Sequence, residues 1–161
     1  MLYCGIVGSG NICKVAHNVA SMISMQAIAE ALTMGVKAGV EAEVLWDAMR
    51  KGAFGRNNAL HRRIPECVFM NDWDKPRFAL ALSTKDVRLA TEVGRENNVP
   101  MPLANMLEQL MTECLNRGWG VKDTPIIVKL QEEAAGVELR APNVDLEKAG
   151  KYVVFDPEAL K

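Results

Sequence analysis

The chain has 161 residues, 49% of them apolar, and a formal net charge of −1 at pH 7, with a pI near 6.1. That length is most simply one domain with room for a real core. Near-neutrality removes the electrostatic case for nucleic acid or an anionic membrane surface as a partner.

The four cysteines (Cys4, Cys13, Cys67, Cys114) have neither C-x-x-C nor metal-pairing spacing, and the two histidines stand far apart without H-E-x-x-H. No metal is therefore expected, and reduced thiols in a cytoplasmic protein are the reading. No basic segment leads into an apolar core at the N-terminus, and no apolar run is read as long enough to span a bilayer.

Residues 5–18, GIVGSGNICKVAHN, are the most specific stretch. Gly5, Gly8 and Gly10 let backbone approach another group without Cβ atoms in the way. A helix starting just after them puts Lys14 and Asn18 on one face, at i and i+4. A cation that can give a proton beside an amide that donates and accepts suits a carbonyl or hydroxyl held during proton transfer. The rival reading, a dinucleotide fingerprint built on Gly8-x-Gly10, fails on three counts. Cys13 stands where Gly or Ala is wanted, no second strand with an acidic ribose ligand follows, and the strand before the glycines is too short for a central one.

The pattern over ~11–38 is apolar almost all round, which predicts a helix buried on most sides and about 40 Å long at 1.5 Å per residue, the spine of the domain. Lys14, His17, Asn18, Ser21 and Ser24 fall in one stripe over its first three turns, either a solvated face or the wall of a cleft. A second amphipathic helix is predicted over ~41–51. The loop 52–58, GAFGRNN, holds Arg56 and Asn57, which could face the cleft and select an acid by bidentate contact, or simply be solvated.

A short helix is predicted over 59–63, then irregular chain over 64–76. A fourth helix is predicted from Phe78 to about Glu96, an extended link at Val99-Pro100-Met101-Pro102, and a fifth helix over ~103–117 closed by Gly118. Asp123 caps a sixth, with Pro125 in its first turn. The fold class is thus all-α, six or so helices around a long central one over 1–136. Residues 137–161 form a tail, read either as extended and docked on a neighbour through Tyr152, Val153, Val154 and Phe155, or as disordered.

These motifs resemble the C-terminal domain of the β-hydroxyacid dehydrogenase family, the group containing 3-hydroxyisobutyrate dehydrogenase and tartronate semialdehyde reductase. The family signature G-x-x-G-x-G-x-x-x-K-x-x-x-N is matched by Gly5, Gly8, Gly10, Lys14 and Asn18. AEALTMGVKAGV, FALALSTKDVRLA, VPMPL and GWGVKD are similar to its later segments, so the likeness runs over about residues 3–135.

The resemblance implies that Lys14 is the general acid/base and that Asn18, with Gly10, meets the substrate. It places Lys85, with Phe78 and Asp86, at the nicotinamide end of NAD or NADP. An ammonium shut in a dry cleft loses proton affinity, which suits that role. From the residues alone, Lys85-Asp86 is equally a surface pair and Phe78 a core residue. KVAHN is also similar to 6-phosphogluconate dehydrogenase, but the catalytic Glu that follows there is replaced here by Val19, Ala20, Ser21 and Met22.

The family's N-terminal dinucleotide-binding domain is absent from the sequence, so the chain is expected to hold about half an active site. Two functions follow. One is the helical half of an NAD(P)-dependent oxidoreductase of a small hydroxyacid or semialdehyde. The other is a helical dimerisation module with no chemistry of its own. A homodimer or higher homo-oligomer is expected in either case, and no dehydrogenase activity from the isolated chain.

Overall fold

Helix follows helix from Ser9 to Ala135 in the structure, a computed structural model that describes residues 3–146. The elements are α1 (Ser9–Lys37), α2 (Ala42–Lys51), a π-helix (Ala59–Val68), α3 (Leu80–Glu96), α4 (Pro102–Asn116), two 3₁₀ turns (Trp119–Val121 and Thr124–Ile127) and α5 (Val128–Ala135). The all-α expectation holds: among the described residues the sole β-type pairing is an isolated antiparallel bridge between Ala79 and Asp123. Tyr152, Val153, Val154 and Phe155 lie outside the described residues.

That bridge explains one boundary. Ala79 is extended, at φ −61° and ψ 141°. The Leu80 N–H donates to the Lys122 carbonyl at 2.8 Å, and the Thr124 N–H to the Phe78 carbonyl at 3.0 Å. Residues 78 and 79 are thus occupied across the chain, and α3 begins at Leu80 rather than Phe78.

A larger difference lies at 59–68, where a short helix and irregular chain were expected. The helix continues through Pro65 to Val68 in the wide π form, with the Phe69 N–H donating to the Ile64 carbonyl at 3.0 Å and the Asp72 N–H to the Cys67 carbonyl at 3.0 Å. Proline has no N–H to give and its ring crowds the carbonyl four residues back. Widening the turn to i−5 is a recognised way for a helix to absorb such a misfit.

The core sits beside α1 instead of around it. Cys67, Val68, Trp73, Leu80, Met111, Cys114, Ile126 and Leu130 form one buried cluster, with Ile64, Val87 and Trp119 packed against it. It is built from the π-helix, α3, α4 and the C-terminal turns. On α1 only Glu30 and Gly35 are buried, and every residue from Gly10 to Ala27 is exposed. The reading of this helix as buried on most sides is corrected: Val19 is 54% and Met22 68% exposed.

What holds α1 to the rest is its C-terminal half. A Cβ at Gly35 would lie 2.6 Å from Leu45 Cδ1, so glycine there permits the close approach of α2. The Glu30 carboxylate accepts from the backbone N–H groups of Leu103 at 2.9 Å and Ala104 at 3.0 Å, capping α4 from across the fold. By length and composition α1 is also apolar enough to cross a membrane, contrary to the expectation that no run reaches that length. Its polar stripe and the buried Glu30 contact with α4 are features of a helix in a folded domain.

Candidate functional site

The turn before α1 is set by glycine. Gly5 (φ 111°) and Gly8 (φ 94°) occupy the left-handed region, which costs an L-residue about 1–2 kcal/mol. The Ser9 N–H donates to the Ile6 carbonyl at 3.0 Å and the Asn11 N–H to the Gly8 carbonyl at 3.1 Å, and α1 starts. Gly10 differs. It lies inside the helix, where glycine is unfavourable by about 0.5–1 kcal/mol relative to alanine, and a Cβ there would meet nothing within 4 Å. No neighbour among the described residues calls for glycine at this position.

Lys14 and Asn18 follow on the same side of α1 and both are exposed. The described residues do not shut Lys14 in a dry cleft, so any desolvation of its ammonium must come from a surface laid over it. His17, Ser21 and Ser24 continue the stripe and form, with Ala20, one wall of an open slot of about 470 Å³. Asn57, Ala59, Leu60 and Ile64 form the other. Asn57 is placed by its left-handed backbone, φ 48°, with its N–H on the Phe54 carbonyl at 2.8 Å. Arg56 does not line the slot: its Nε donates to the Gly52 carbonyl at 3.3 Å, turning the side chain back on its own loop.

Phe78 stands two residues before α3, and Lys85 and Asp86 lie within it. Phe78 is 41% exposed. Its carbonyl accepts from Thr124 Oγ1 at 2.6 Å, and its N–H donates to Asp123 Oδ1 at 3.3 Å. Lys85 Nζ lies 3.0 Å from Asp86 Oδ1, both exposed. An open ring and an ammonium are groups that can meet an anionic dinucleotide, whereas the Asp86 carboxylate beside Lys85 would repel its phosphates. Among the described residues no strand leads into a Gly-rich turn that would take its phosphates.

Leu60 and Ile64 are not singled out by the sequence, although their i, i+4 spacing is visible, because the helix predicted over 59–63 stops before Ile64. Asp123 was read as a helix cap, and its carboxylate does accept from the Thr124 N–H at 3.0 Å. Its pairing with Arg63 at 2.5 Å had no sequence signal.

A protein family described as NAD-binding of NADP-dependent 3-hydroxyisobutyrate dehydrogenase matches residues 8–131. The chain is 32% identical over 135 residues to 2-(hydroxymethyl)glutarate dehydrogenase of Eubacterium barkeri, covering 84% of this chain and 44% of that protein. It is 28% identical over 137 residues to mitochondrial 3-hydroxyisobutyrate dehydrogenase of Drosophila melanogaster (81% and 42%). It is 27% identical over 124 residues to L-threonate dehydrogenase of Escherichia coli K12 (76% and 40%). The chain thus matches about two fifths of the length of these curated relatives.

Proposed function

The chain belongs to the β-hydroxyacid dehydrogenase family that includes 3-hydroxyisobutyrate dehydrogenase, and from that we propose that it is the helical half of an NAD(P)-dependent oxidoreductase acting on a small β-hydroxyacid or its semialdehyde. The observation that carries this reading is the exposed stripe of Gly10, Lys14 and Asn18. It combines a glycine that no described neighbour requires with a proton donor and an amide one turn apart. Glycine at that point leaves room for substrate against the first turn of α1.

In this reading the Asn18 amide holds the substrate oxygen, and Lys14 Nζ gives it a proton during reduction or removes one during oxidation. The nicotinamide, when bound, supplies or accepts the hydride. Phe78, Lys85 and Asp86 would stand on the cofactor side, and the phosphates and ribose would be gripped by a dinucleotide-binding domain of the family's kind. Without such a domain over Lys14, water reaches the ammonium, and the isolated chain is expected to be inactive.

The same helix supports an assembly reading. Ile12, Val15, Val19, Met22 and Ile23 lie opposite the polar stripe and are exposed. Their face runs on toward Glu30, where α1 packs on α4. A second copy laid along this face gives a homodimer, which light scattering on the purified chain would detect; a monomer would refute it.

The catalytic reading is tested by joining the chain to a dinucleotide-binding domain of the family and following NADH and NADPH oxidation with small semialdehydes. Lys14→Met keeps the length of the side chain and removes the proton, so kcat/KM should fall by about 10² or more. Turnover at the unsubstituted rate would end the assignment.

A further inference from the structure

The slot between α1 and the 57–64 segment has two unlike walls. On one side stand the hydroxyls of Ser21 and Ser24 and the imidazole of His17, with the Asn57 amide across from them. On the other, Ala59, Leu60 and Ile64 present carbon. Serine inside a helix commonly turns its hydroxyl back to the carbonyl a turn earlier, as Thr33 does to Ala29 at 2.7 Å. Ser21 and Ser24 do not: among the described residues no hydrogen bond takes up either hydroxyl, nor the side chains of His17 and Asn57. Four polar groups are left facing one space.

Their chemistry narrows the ligand. A hydroxyl, an amide and a neutral imidazole can each both donate and accept, which matches groups that do the same. The lining residues carry no guanidinium or ammonium, so a carboxylate would enter without a charged partner. A bare alkyl group would satisfy the Leu60 and Ile64 side and leave the four polar groups unused. The slot also adjoins the reacting end, since Ser21 lies seven residues, two turns, beyond Lys14 on the same face.

We propose that this slot is a substrate subsite for a hydroxyl-bearing carbon arm, so that the acid taken by this chain is a polyhydroxylated one. The arm's carbons would lie on Leu60 and Ile64 while its hydroxyls meet Ser21, Ser24, His17 and Asn57. The subsite deepens the dehydrogenase reading and rests on it for the meaning of the word substrate, but its occupancy requires no hydride transfer.

Binding is therefore measured on the chain itself by NMR, using the imidazole signals of its two histidines. L-threonate serves as the hydroxylated probe, 3-hydroxyisobutyrate as the alkyl one and glutarate as the one with a second carboxylate. L-threonate should shift the His17 ring signals at millimolar concentrations, with the other two acids about tenfold weaker, the size of one or two neutral hydrogen bonds. The Ser21→Ala/Ser24→Ala double variant keeps good helix formers at both exposed positions and should weaken L-threonate by a similar factor.

Equal binding of 3-hydroxyisobutyrate, tighter binding of glutarate, unchanged affinity in the double variant, or no His17 shift with L-threonate would each overturn the subsite. Failure of the dehydrogenase reading looks different. A chain joined to a cofactor domain that is inert toward every acid would remove that reading, whatever the NMR titration shows.

Discussion

The Arg63 guanidinium reaches the Asp123 carboxylate at 2.5 Å, sixty positions along the chain, and Asp123 is fully buried. The same carboxylate accepts from the Thr124 N–H at 3.0 Å, the Phe78 N–H at 3.3 Å and Cys67 Sγ at 3.4 Å. One side chain thereby ties the π-helix, which carries Leu60 and Ile64 of the slot, to Phe78 and the start of α3, the helix that carries Lys85. Burial, and then the hydrogen bond to Asp123, push the Cys67 thiol up to about 11.

Removing that carboxylate should be costly. Asp123→Ala leaves the Arg63 charge without its partner at a largely buried site, a change worth about 3–5 kcal/mol. Asp123→Asn keeps an acceptor for the backbone N–H groups and should lose less. Urea denaturation of the two variants measures both, and a loss below about 1 kcal/mol for Asp123→Ala, the value of an ordinary neutral hydrogen bond, would show that the network does not hold these elements together.

Glu30 replaces a cap that α4 lacks. The residue before that helix, Met101, makes no side-chain cap, and the carboxylate of Glu30 meets the first free N–H groups instead. Negative charge at a helix N-terminus is favourable, and losing a cap costs about 1 kcal/mol or more. Glu30→Ala should lower stability by about 2 kcal/mol, the upper end of that range, and speed amide exchange at Leu103 and Ala104. Unchanged exchange at those two amides would rule out the capping role.

Two glycines at the start of α1, Gly8 just before it and Gly10 inside its first turn, should respond in opposite ways. Gly8→Ala forces an L-residue to φ 94° and should destabilise by about 1 kcal/mol. Gly10→Ala meets no neighbour and should stabilise the chain by up to about 1 kcal/mol, while weakening substrate binding once a cofactor domain is joined. Thermal midpoints separate the two, and a destabilised Gly10→Ala variant would mean that glycine serves the fold there, not the ligand.

Acid should loosen the end of the domain through Glu132. Burial alone would raise its carboxyl, but the Arg140 guanidinium and the Leu139 N–H outweigh that and hold it below the usual glutamate range. Because the folded state lowers the pKa, the stabilisation is complete above the unfolded value and drains away as pH falls below it. Stability should therefore drop on acidification below about pH 4–5, where glutamate ordinarily titrates, and Glu132→Gln should flatten that part of the profile. An identical acid limb in the variant would exclude the pair as its source.

The sequence by itself carried the helix order, the all-α class and the family, because those rest on local signals. Apolar spacing marks a helix, Gly39, Gly118 and Gly136 with positive φ mark helix ends, and Gly5 through Asn18 is a short contiguous motif. What it could not carry depends on partners distant along the chain. Pro65 looked like a helix breaker, yet it is buried inside a π-helix whose Cys67 and Val68 join a core built from distant segments, and that burial favours a widened helix over a broken one. Arg63 finding Asp123, Glu30 finding the α4 N-terminus and Asn57 coming to line one slot with Ser21 are products of tertiary structure, with no periodicity to announce them. The apolar face of α1 shows the same division: hydrophobic spacing says that a surface is to be covered, but the hydrophobic effect is non-directional and does not name what covers it.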